Sequence, residues 1–487
     1  METNGLEHPN LSLPGNPRYQ PAELIPYFGY DNLYRPVAEV EFATLDVLHE
    51  IGFIPDHDMD QLTREVRERI RAITTTAVDQ LERTVTHHDL RAWVRIAQDM
   101  LPENLRRWLH FPLTSYDALD TARALMFVNA YQNVTNPRIA EVVQILTRMV
   151  RQYADTTQIG RSHGQHALPI KVGFWLATIL NRVLYNWKQI DQCAEGIVGK
   201  LSGAVGACNA QYALGVATAC KHQSFEERVL GKLGLKPGPI STQIVQPEPL
   251  AYFLHAHVML SGALGQLGRD CRHLMRTEIG EVREEFAAGQ VGSSTMAHKR
   301  NPVNFENLEG MWLRTGNEYH GVLDTLISEH QRDLVGSSLM RDFPIIVLNV
   351  HVQLGTLLRR KDKGGPTFLE RLSIDTTACE RNLEMQGGLV MAEPLYLALQ
   401  MYGYEGDGHR LVNETLVPIA QKQGVSLIKA LEQSSDDEVK LAWAQVPEDI
   451  KSVLEFPEDY TGNAAHAARA VAEAAEDYLF HACGLSV

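Results

Sequence analysis

Three long stretches without proline place the strongest constraint on the fold of this 487-residue chain. They span residues 170–236, 250–301 and 303–343, and proline interrupts helices because it lacks an N–H and clashes with the preceding turn. Apolar residues recur four and three positions apart in the first stretch, at Leu176, Leu180, Val183, Trp187, Ile190, Ala194 and Ile197, and in the second, at Leu260, Leu264, Leu267, Cys271 and Leu274. This period places each set on one side of a helix. We therefore predict helices of about 30 residues, which are about 45 Å long at roughly 1.5 Å per residue.

Helices of this length pack as bundles of near-antiparallel neighbours. Whether their apolar seams face the subunit's own core or a partner subunit stays open. Residues 1–112 carry shorter helical patterns and are predicted to form an N-terminal helical domain, followed by a central long-helix bundle over 113–364. A Gly-Gly-Pro segment in "RRKDKGGPTFLE" (359–370) precedes a predicted C-terminal helical domain, 365–487. We find no strand alternation of any length, so the predicted fold class is all-α.

Charge and cysteine usage exclude several functional classes. The chain has 45 Lys+Arg against 60 Asp+Glu, a formal net charge of −15, which argues against non-specific binding to nucleic acid or anionic lipid but not against a local basic pocket. No segment reaches 18 uninterrupted apolar residues, and the first residues do not resemble a secretion signal. The six cysteines form no C-x-x-C pair, which disfavours a zinc knuckle or a disulfide framework and fits reduced thiols in the cytoplasm.

Polar segments interrupt the helical pattern and hold the candidate site residues. In "NPRYQP" (16–21), Arg18 and Tyr19 suit a phosphate and a stacked base, although a structural role explains such a pair equally simply. In "THHDLRAW" (86–93), His87, His88 and Asp89 provide hydrogen-bond donors and acceptors. The alternative is an ordinary surface helix end.

Two further segments have the same polar character. Thr114 and Ser115 in "HFPLTSYDALDTA" (110–122) precede a predicted helix, whose N-terminal N–H groups can bind an anion or need only a plain cap. His163 lies among small residues in "GRSHGQHALP" (160–169), with His166 three positions later. Because no H-E-x-x-H motif or third ligand accompanies these histidines, we predict no metal site.

The segment "GQVGSSTMAHKRNP" (289–302) and the later "HQRDLVGSSLMRDFP" (330–344) complete the set. Across these segments the inventory is hydroxyls, amides, imidazoles and fixed positive charge, with few carboxylates. This inventory suits a polyanionic substrate, and the chain lacks both the GxxxxGK[ST] phosphate loop and the GxGxxG cofactor turn. We therefore expect a small-molecule substrate and no cofactor.

The order of these motifs carries a family resemblance. "GSSTMAHKRNP" resembles the signature loop of the fumarase/aspartase superfamily, usually written GSSxMPxKxNP. The segments "NPRYQP", "THHDLRA", "HFPLTSYDALDTA", "GRSHGQ", "STQI", "KRNPVNFENLEG" and "HQRDLVGSSLMR" follow the order seen in the adenylosuccinate lyase family. The resemblance covers nearly the whole chain.

The resemblance implies an all-helical, three-domain subunit in a cytoplasmic homotetramer, with each active site assembled from three subunits. It implies cofactor-independent β-elimination of fumarate from adenylosuccinate, giving AMP, and from succinyl-aminoimidazole-carboxamide ribotide in purine biosynthesis. Ser293 would be the general base and His163 the general acid, with His88 and Lys299 assisting. The implied substrate-binding residues are Arg18, Tyr19, His87, Asp89, Thr114, Ser115, Gln243, Ser294, Asn301, Asn307, Arg332, Ser337 and Arg341.

Four positions depart from the family pattern. Ala297 replaces the usual proline of the signature loop, Pro112 a glycine, Tyr116 a serine and His166 a proline. Because Ser293 and the other catalytic residues are retained, elimination chemistry is better supported than the identity of the substrate. Another lyase or cycloisomerase of the superfamily, acting on a different succinyl or aspartyl adduct, stays an alternative. A non-catalytic structural member is a more remote one.

Overall fold

A computed structural model describes residues 13–284 and 299–483, and most of these residues are helical. The predicted all-α fold class is confirmed. Numbered in chain order, the helices are α1 Ile25–Phe28, α2 Arg35–Glu50, α3 Asp56–Met59, α4 Arg64–Arg71, α5 Thr75–Leu81, α6 Asp89–Met100, α7 Glu103–Arg106, α8 Ser115–Ala130, α9 Asn136–Gln152, α10 Val172–Glu195, α11 Asn209–Ala213, α12 Val216–Ala219, α13 Phe225–Lys232, α14 Glu248–Leu274, α15 Val303–Asp324, α16 Pro344–Leu358, α17 Thr376–Glu384, α18 Ala392–Met401, α19 Gly408–Leu411, α20 Val417–Gln423, α21 Leu427–Glu432, α22 Asp437–Gln445, α23 Glu448–Glu455 and α24 Ala464–Cys483.

The three proline-free stretches contain the long helices α10, α14 and α15, of 24, 27 and 22 residues. Their apolar seams are buried: Leu176, Leu180, Trp187, Leu260 and Leu264 each have 0% of their surface exposed in the isolated chain. The seams therefore belong to the subunit's own core. Within the described ranges, every helix lacks either the length or the hydropathy needed to traverse a bilayer.

The chain divides into two compact units, each built from three segments. The first unit comprises residues 1–139, 185–262 and 309–355, and the second comprises 140–184, 263–308 and 356–487. In the second unit, apolar residues between positions 383 and 454 form a core that includes Leu399, Val412 and Leu431, each fully buried. The division into domains 1–112, 113–364 and 365–487 stays a prediction.

Short strands also occur among the described residues, although the sequence shows no strand alternation. The strands are β1 Thr157–Ser162, β2 Gln165–Lys171, β3 Val198–Gly199, β4 Lys236–Pro237, β5 Val282–Glu284 and β6 Leu372–Ile374. β1 pairs antiparallel with β2, β3 parallel with β4, and β5 antiparallel with β6.

The β1–β2 hairpin escaped sequence analysis because its pattern is irregular. A bulge between Ile159 and Arg161 breaks the two-residue alternation of buried and exposed side chains. The turn itself consists of His163 and Gly164, whose φ angles are 54° and 77°. Two consecutive positive φ angles match a type I′ turn, the usual two-residue connection of a hairpin. The S-H-G-Q tetrapeptide was therefore a hairpin signal.

Candidate active site

Eight of the predicted substrate-binding or catalytic residues line one cleft in the first unit. The cleft has a volume of about 820 Å³, within the usual range for a small-molecule site. These eight residues come from four separate stretches of sequence and are His87, His88, Asp89, Ser115, Gln243, Arg332, Ser337 and Arg341. The arrangement brings two guanidinium groups, imidazoles and a helix start to one volume.

His88 lies at the start of α6 and contacts the start of α8. Its Nδ1 accepts a hydrogen bond from the Arg91 backbone N–H at 3.4 Å, so its side chain caps α6. Its Nε2 lies 3.4 Å from Ser115 Oγ, and its Nδ1 lies 3.2 Å from Asp89 Oδ1. The neutral tautomer with its proton on Nε2 satisfies the first two contacts, because Nδ1 then accepts and Nε2 donates.

Thr114 and Ser115 have different positions at the start of α8. Thr114 is the N-cap: its side chain and that of Asp117 form a capping box, and its backbone N–H donates to Asp117 Oδ2 at 2.8 Å. Ser115, the first residue of the helix, lines the cleft. The anion-binding and capping explanations for this segment are thus compatible, since the cap fixes the turn that presents Ser115 and the helix N-terminus.

A buried ion pair underlies this turn. Lys200 Nζ lies 2.5 Å from Asp117 Oδ1, and neither side chain is exposed. The Gly203 N–H also donates to both Asp117 oxygens, at 3.1 and 3.2 Å, while the Gly203 carbonyl accepts from Lys200 Nζ at 2.9 Å. Each oxygen of Asp117 therefore has partners, which is what a buried carboxylate requires. Sequence analysis did not identify this pair.

Arg332 is held by two side chains of the cleft. Its guanidinium carbon lies 3.3 Å from the centroid of the Tyr116 ring, a cation–π contact. Its Nη1 donates to Gln243 Oε1 at 3.0 Å. Tyr116, which replaces the serine of the family pattern, therefore determines where this guanidinium lies.

Asp333 organises the loop that carries Ser337 and Arg341. Its carboxylate accepts hydrogen bonds from the backbone N–H groups of Glu329, at 2.6 Å, and Val335, at 2.7 Å. These bonds hold the pKa of Asp333 below its ordinary value. An aspartate side chain that accepts a hydrogen bond from the backbone two residues onward is common in loops. The aspartate of the R-D dipeptide could therefore have predicted this turn from the sequence.

Two tyrosines of the cleft wall were not predicted. Tyr30 donates to Asp79 Oδ2 at 2.5 Å, and burial together with this carboxylate raises the pKa of Tyr30 to about 12. Burial, with a smaller effect of Asp89, also raises the pKa of Tyr34. Both phenols therefore stay neutral at physiological pH. No local motif distinguishes them from ordinary core tyrosines.

Arg18 and Tyr19 are outside the cleft lining, although the neighbouring Leu13 and Pro14 belong to it. Arg18 is exposed and Tyr19 is half-buried, with the Arg314 guanidinium 5.7 Å from its ring centroid. Their assignment to the phosphate region stays a prediction.

Four further predicted residues belong to the second unit, namely His163, Lys299, Asn301 and Asn307. His163 is exposed at the tip of the β1–β2 hairpin. Lys299 is exposed, whereas Asn301 and Asn307 are half-buried before and within α15. Ser293, Ser294 and Ala297 lie outside the described residues. In the part of the chain that the structure describes, no group of histidine, cysteine, aspartate and glutamate side chains is arranged to hold a metal ion.

Solved structures share this fold. The 3-carboxy-cis,cis-muconate lactonizing enzyme of Pseudomonas putida matches with a TM-score of 0.74 and 24% identity, covering 92% of this chain and 95% of that enzyme. A fumarate lyase of Mesorhizobium sp. BNC1 also matches with a TM-score of 0.74, at 21% identity, covering 93% and 97% of the two chains. These likenesses show the fold of the chain.

The sequence comparisons identify the family. The lyase family model matches residues 41–315, and the chain belongs to this family. It is 31% identical to an adenylosuccinate lyase of Pyrococcus horikoshii, over 94% of this chain and 97% of the relative. It is 30% identical to an adenylosuccinate lyase of Pyrococcus abyssi, over 92% and 94% of the two chains. The protein is therefore a lyase with adenylosuccinate lyases among its relatives.

Proposed function

We propose that the protein is an adenylosuccinate lyase. This carbon–nitrogen lyase would eliminate fumarate from adenylosuccinate, giving AMP, and would act in the same way on succinyl-aminoimidazole-carboxamide ribotide in purine biosynthesis. The observation that carries the proposal is the cleft in which Arg332, Arg341, His88 and Ser115 face one volume. Relatives of that activity that match more than nine-tenths of the chain support it.

The cleft provides groups for both anionic ends of a nucleotide adduct. Arg332, Ser337 and Arg341 offer guanidinium and hydroxyl donors suited to a phosphate, together with Arg18 and Tyr19. Thr114 and Ser115 provide a helix N-terminus for a succinyl carboxylate. Gln243, His87, Asp89, Ser294 and Asn307 complete the proposed binding set. A small dicarboxylate substrate would leave the first group of residues without a function.

The proposed chemistry assigns one proton transfer to each end of the breaking bond. Ser293 takes the proton from the carbon next to a succinyl carboxylate, the carbon–carbon double bond forms, and the carbon–nitrogen bond breaks. His163 gives the leaving nitrogen its proton, since imidazole transfers protons near neutral pH. Negative charge develops on the carboxylate during this step, and Lys299 and Asn301 stabilise it as donors already in place. The reaction needs no cofactor.

We further propose a cytoplasmic homotetramer whose active sites combine residues of different subunits. The family resemblance supports this assembly, and so do large apolar side chains that the isolated chain leaves exposed on its long helices. Tyr185 on α10, Tyr252 on α14 and Leu313 on α15 are 63%, 64% and 56% exposed. Side chains of this size at the surface of a soluble protein are typical of subunit interfaces.

Activity is tested by incubating the purified protein with adenylosuccinate and following its conversion to AMP and fumarate by ultraviolet absorbance. We expect turnover by the parent protein and its loss in Ser293→Ala and in His163→Ala. His222→Ala is the matched control, because His222 is an exposed histidine with no proposed part in the reaction. Absence of turnover by the parent refutes the substrate assignment and leads to assays with other succinyl adducts. Parent-like turnover by Ser293→Ala refutes the proposed base.

Shared sites are tested by mixing two inactive variants, His88→Ala and Ser293→Ala, after partial denaturation and reassembly. If sites combine residues of different subunits, mixed tetramers contain some sites with both residues intact, and activity returns. No recovery from tetramers shown to be mixed would contradict the shared-site proposal.

A further inference from the structure

One buried carboxylate in the second unit accepts hydrogen bonds from two elements, β1 and α17. Glu281, the residue before β5, is 1% exposed. Its Oε1 accepts from Arg161 Nη2 at 2.6 Å and from Asn382 Nδ2 at 2.7 Å, and its Oε2 accepts from Arg161 Nη1 at 2.9 Å and from Gln158 Nε2 at 3.1 Å. Two donors on each oxygen, including a two-point guanidinium contact, make this a fully satisfied buried ion pair.

A register shift in the β1–β2 hairpin accompanies this convergence. Between the pairs Ile159–Pro169 and Arg161–His166, β1 advances two residues and β2 advances three. In a regular strand, side chains three positions apart point to opposite faces, yet Gln158 and Arg161 both bond to Glu281. The register shift between Ile159 and Arg161 rotates the later residues, while Ile159 stays in the core at 1% exposure. Gly160 lies on β1 opposite the extra residue of β2, and an added Cβ there would meet the Leu168 carbonyl oxygen at 2.8 Å. The local sequence is thus suited to bring Arg161 to Glu281.

The partner of this carboxylate, Arg161, is close in sequence to the proposed acid. Arg161 precedes His163 by two residues, and His163 is exposed at the turn of the hairpin. On the other side, the Glu281 carbonyl accepts from the Asp375 N–H at 2.9 Å, and Asn382 belongs to α17. Glu281 therefore joins the β1–β2 hairpin to β5 and α17.

We propose that Glu281 is a positioning residue that fixes the orientation of the hairpin and thereby of His163. This inference rests on the proposed function, in which His163 protonates the leaving nitrogen. Glu281 acts through Arg161. His163 is exposed on a two-residue turn, so its position depends on the hairpin that carries it. The buried ion pair of Arg161 and Glu281 fixes the orientation of that hairpin. Proton transfer requires its donor within hydrogen-bonding distance, so a small rotation of the hairpin reduces the rate without altering the binding of the substrate elsewhere.

Glu281→Gln tests the proposal because it keeps the side-chain volume and replaces one acceptor oxygen with an NH2 donor. That donor then faces N–H groups of Arg161, and the guanidinium loses its counter-charge. Glu281→Asp is the second variant. It keeps the charge, but its side chain is one methylene shorter, so the carboxylate lies farther from Arg161. If Glu281→Gln does not fold, Glu281→Asp is compared with the parent instead. The matched control is Glu370→Gln, since Glu370 accepts from Thr367 and Arg148 in the same unit and not from the hairpin.

Two measurements are made on each variant. Amide hydrogen exchange by mass spectrometry reports whether residues 157–171 lose protection, and steady-state kinetics with adenylosuccinate reports kcat and KM. For Glu281→Gln we expect faster exchange confined to the hairpin and its neighbours, a kcat lower by about 10- to 100-fold, as small misplacements of catalytic groups produce, and a KM close to that of the parent. Glu281→Asp should be intermediate, and Glu370→Gln should match the parent.

Unchanged exchange in the hairpin of Glu281→Gln would overturn the proposal. Faster exchange throughout the chain, with kcat and KM affected alike, would also overturn it, because that pattern indicates a general structural role. If the parent itself does not turn over adenylosuccinate, the proposed function fails separately. The exchange data then still show whether Glu281 holds the hairpin in place, but the proposed link between Glu281 and proton transfer is refuted.

Discussion

Removal of the Lys200 charge should be unusually costly for a single lysine. In Lys200→Met the apolar replacement has a similar length, but the Asp117 carboxylate loses its counter-charge while both positions are fully buried. The carboxylate keeps the N–H donors of Thr114 and Gly203. Removing one partner of a buried ion pair costs about 3–5 kcal/mol, and we expect a loss of free energy of unfolding in this range.

A surface pair in the same unit provides the control. Lys232 Nζ lies 2.5 Å from Glu50 Oε1, the same separation, but these side chains are 35% and 38% exposed. Exposed pairs contribute about 0–1 kcal/mol, so Lys232→Met should have a small effect. The two variants differ mainly in burial, which isolates desolvation as the cause.

The assay is urea unfolding followed by circular dichroism at one fixed protein concentration, because the stability of an oligomer depends on concentration. Combining Lys200→Met with Asp117→Asn removes the uncompensated charge and should restore part of the lost stability. If Lys200→Met costs no more than Lys232→Met, or if the double variant is no more stable than Lys200→Met, the reasoning from burial is refuted.

Three further predictions concern the cleft, the hairpin and pH. Tyr116→Ala removes the ring on which the Arg332 guanidinium stacks. The cation–π interaction that is lost contributes about 0.5–2 kcal/mol, so KM for adenylosuccinate should rise by about 2- to 30-fold in steady-state kinetics. Tyr116→Phe keeps the ring, and an equal rise there would contradict the stacking explanation. Gly160→Ala should lower the thermal unfolding midpoint, at a cost of about 1–3 kcal/mol, because the new Cβ meets the Leu168 carbonyl oxygen at 2.8 Å; an unchanged midpoint would show that the bulge accommodates it. Burial lowers the pKa of His110, but Glu41, whose Oε1 is 2.7 Å from the ring, outweighs burial and raises it above 6.5. The stabilisation from this pair is therefore fully present below pH 6.5 and is lost as pH rises through the raised pKa, so His110→Gln should lower the unfolding midpoint more at pH 5.5 than at pH 9. An equal effect at both pH values would contradict this assignment.

The sequence contained the helical architecture and much of the candidate site. The seams of Leu176 to Trp187 and of Leu260 to Leu264 predicted buried helix faces, because a 3.5-residue apolar period is a local property that survives folding. The motifs also contained polar residues of the cleft: the predicted site residues His88, Ser115, Gln243, Arg332 and Arg341 all line it.

What the sequence did not contain are the contacts between residues far apart along the chain. The pairing of Asp117 with Lys200, the stacking of Arg332 on Tyr116 and the bonds from the hairpin to Glu281 join segments separated by 83, 216 and 120 or more positions. Their energies come from desolvation and short-range geometry, which depend on what the folded chain brings near and have no periodic signature in the sequence. The amino-acid sequence by itself determined the helices, their buried faces and the types of residue in the site. Tertiary structure alone decided which of those residues meet, and which buried charges hold them in place.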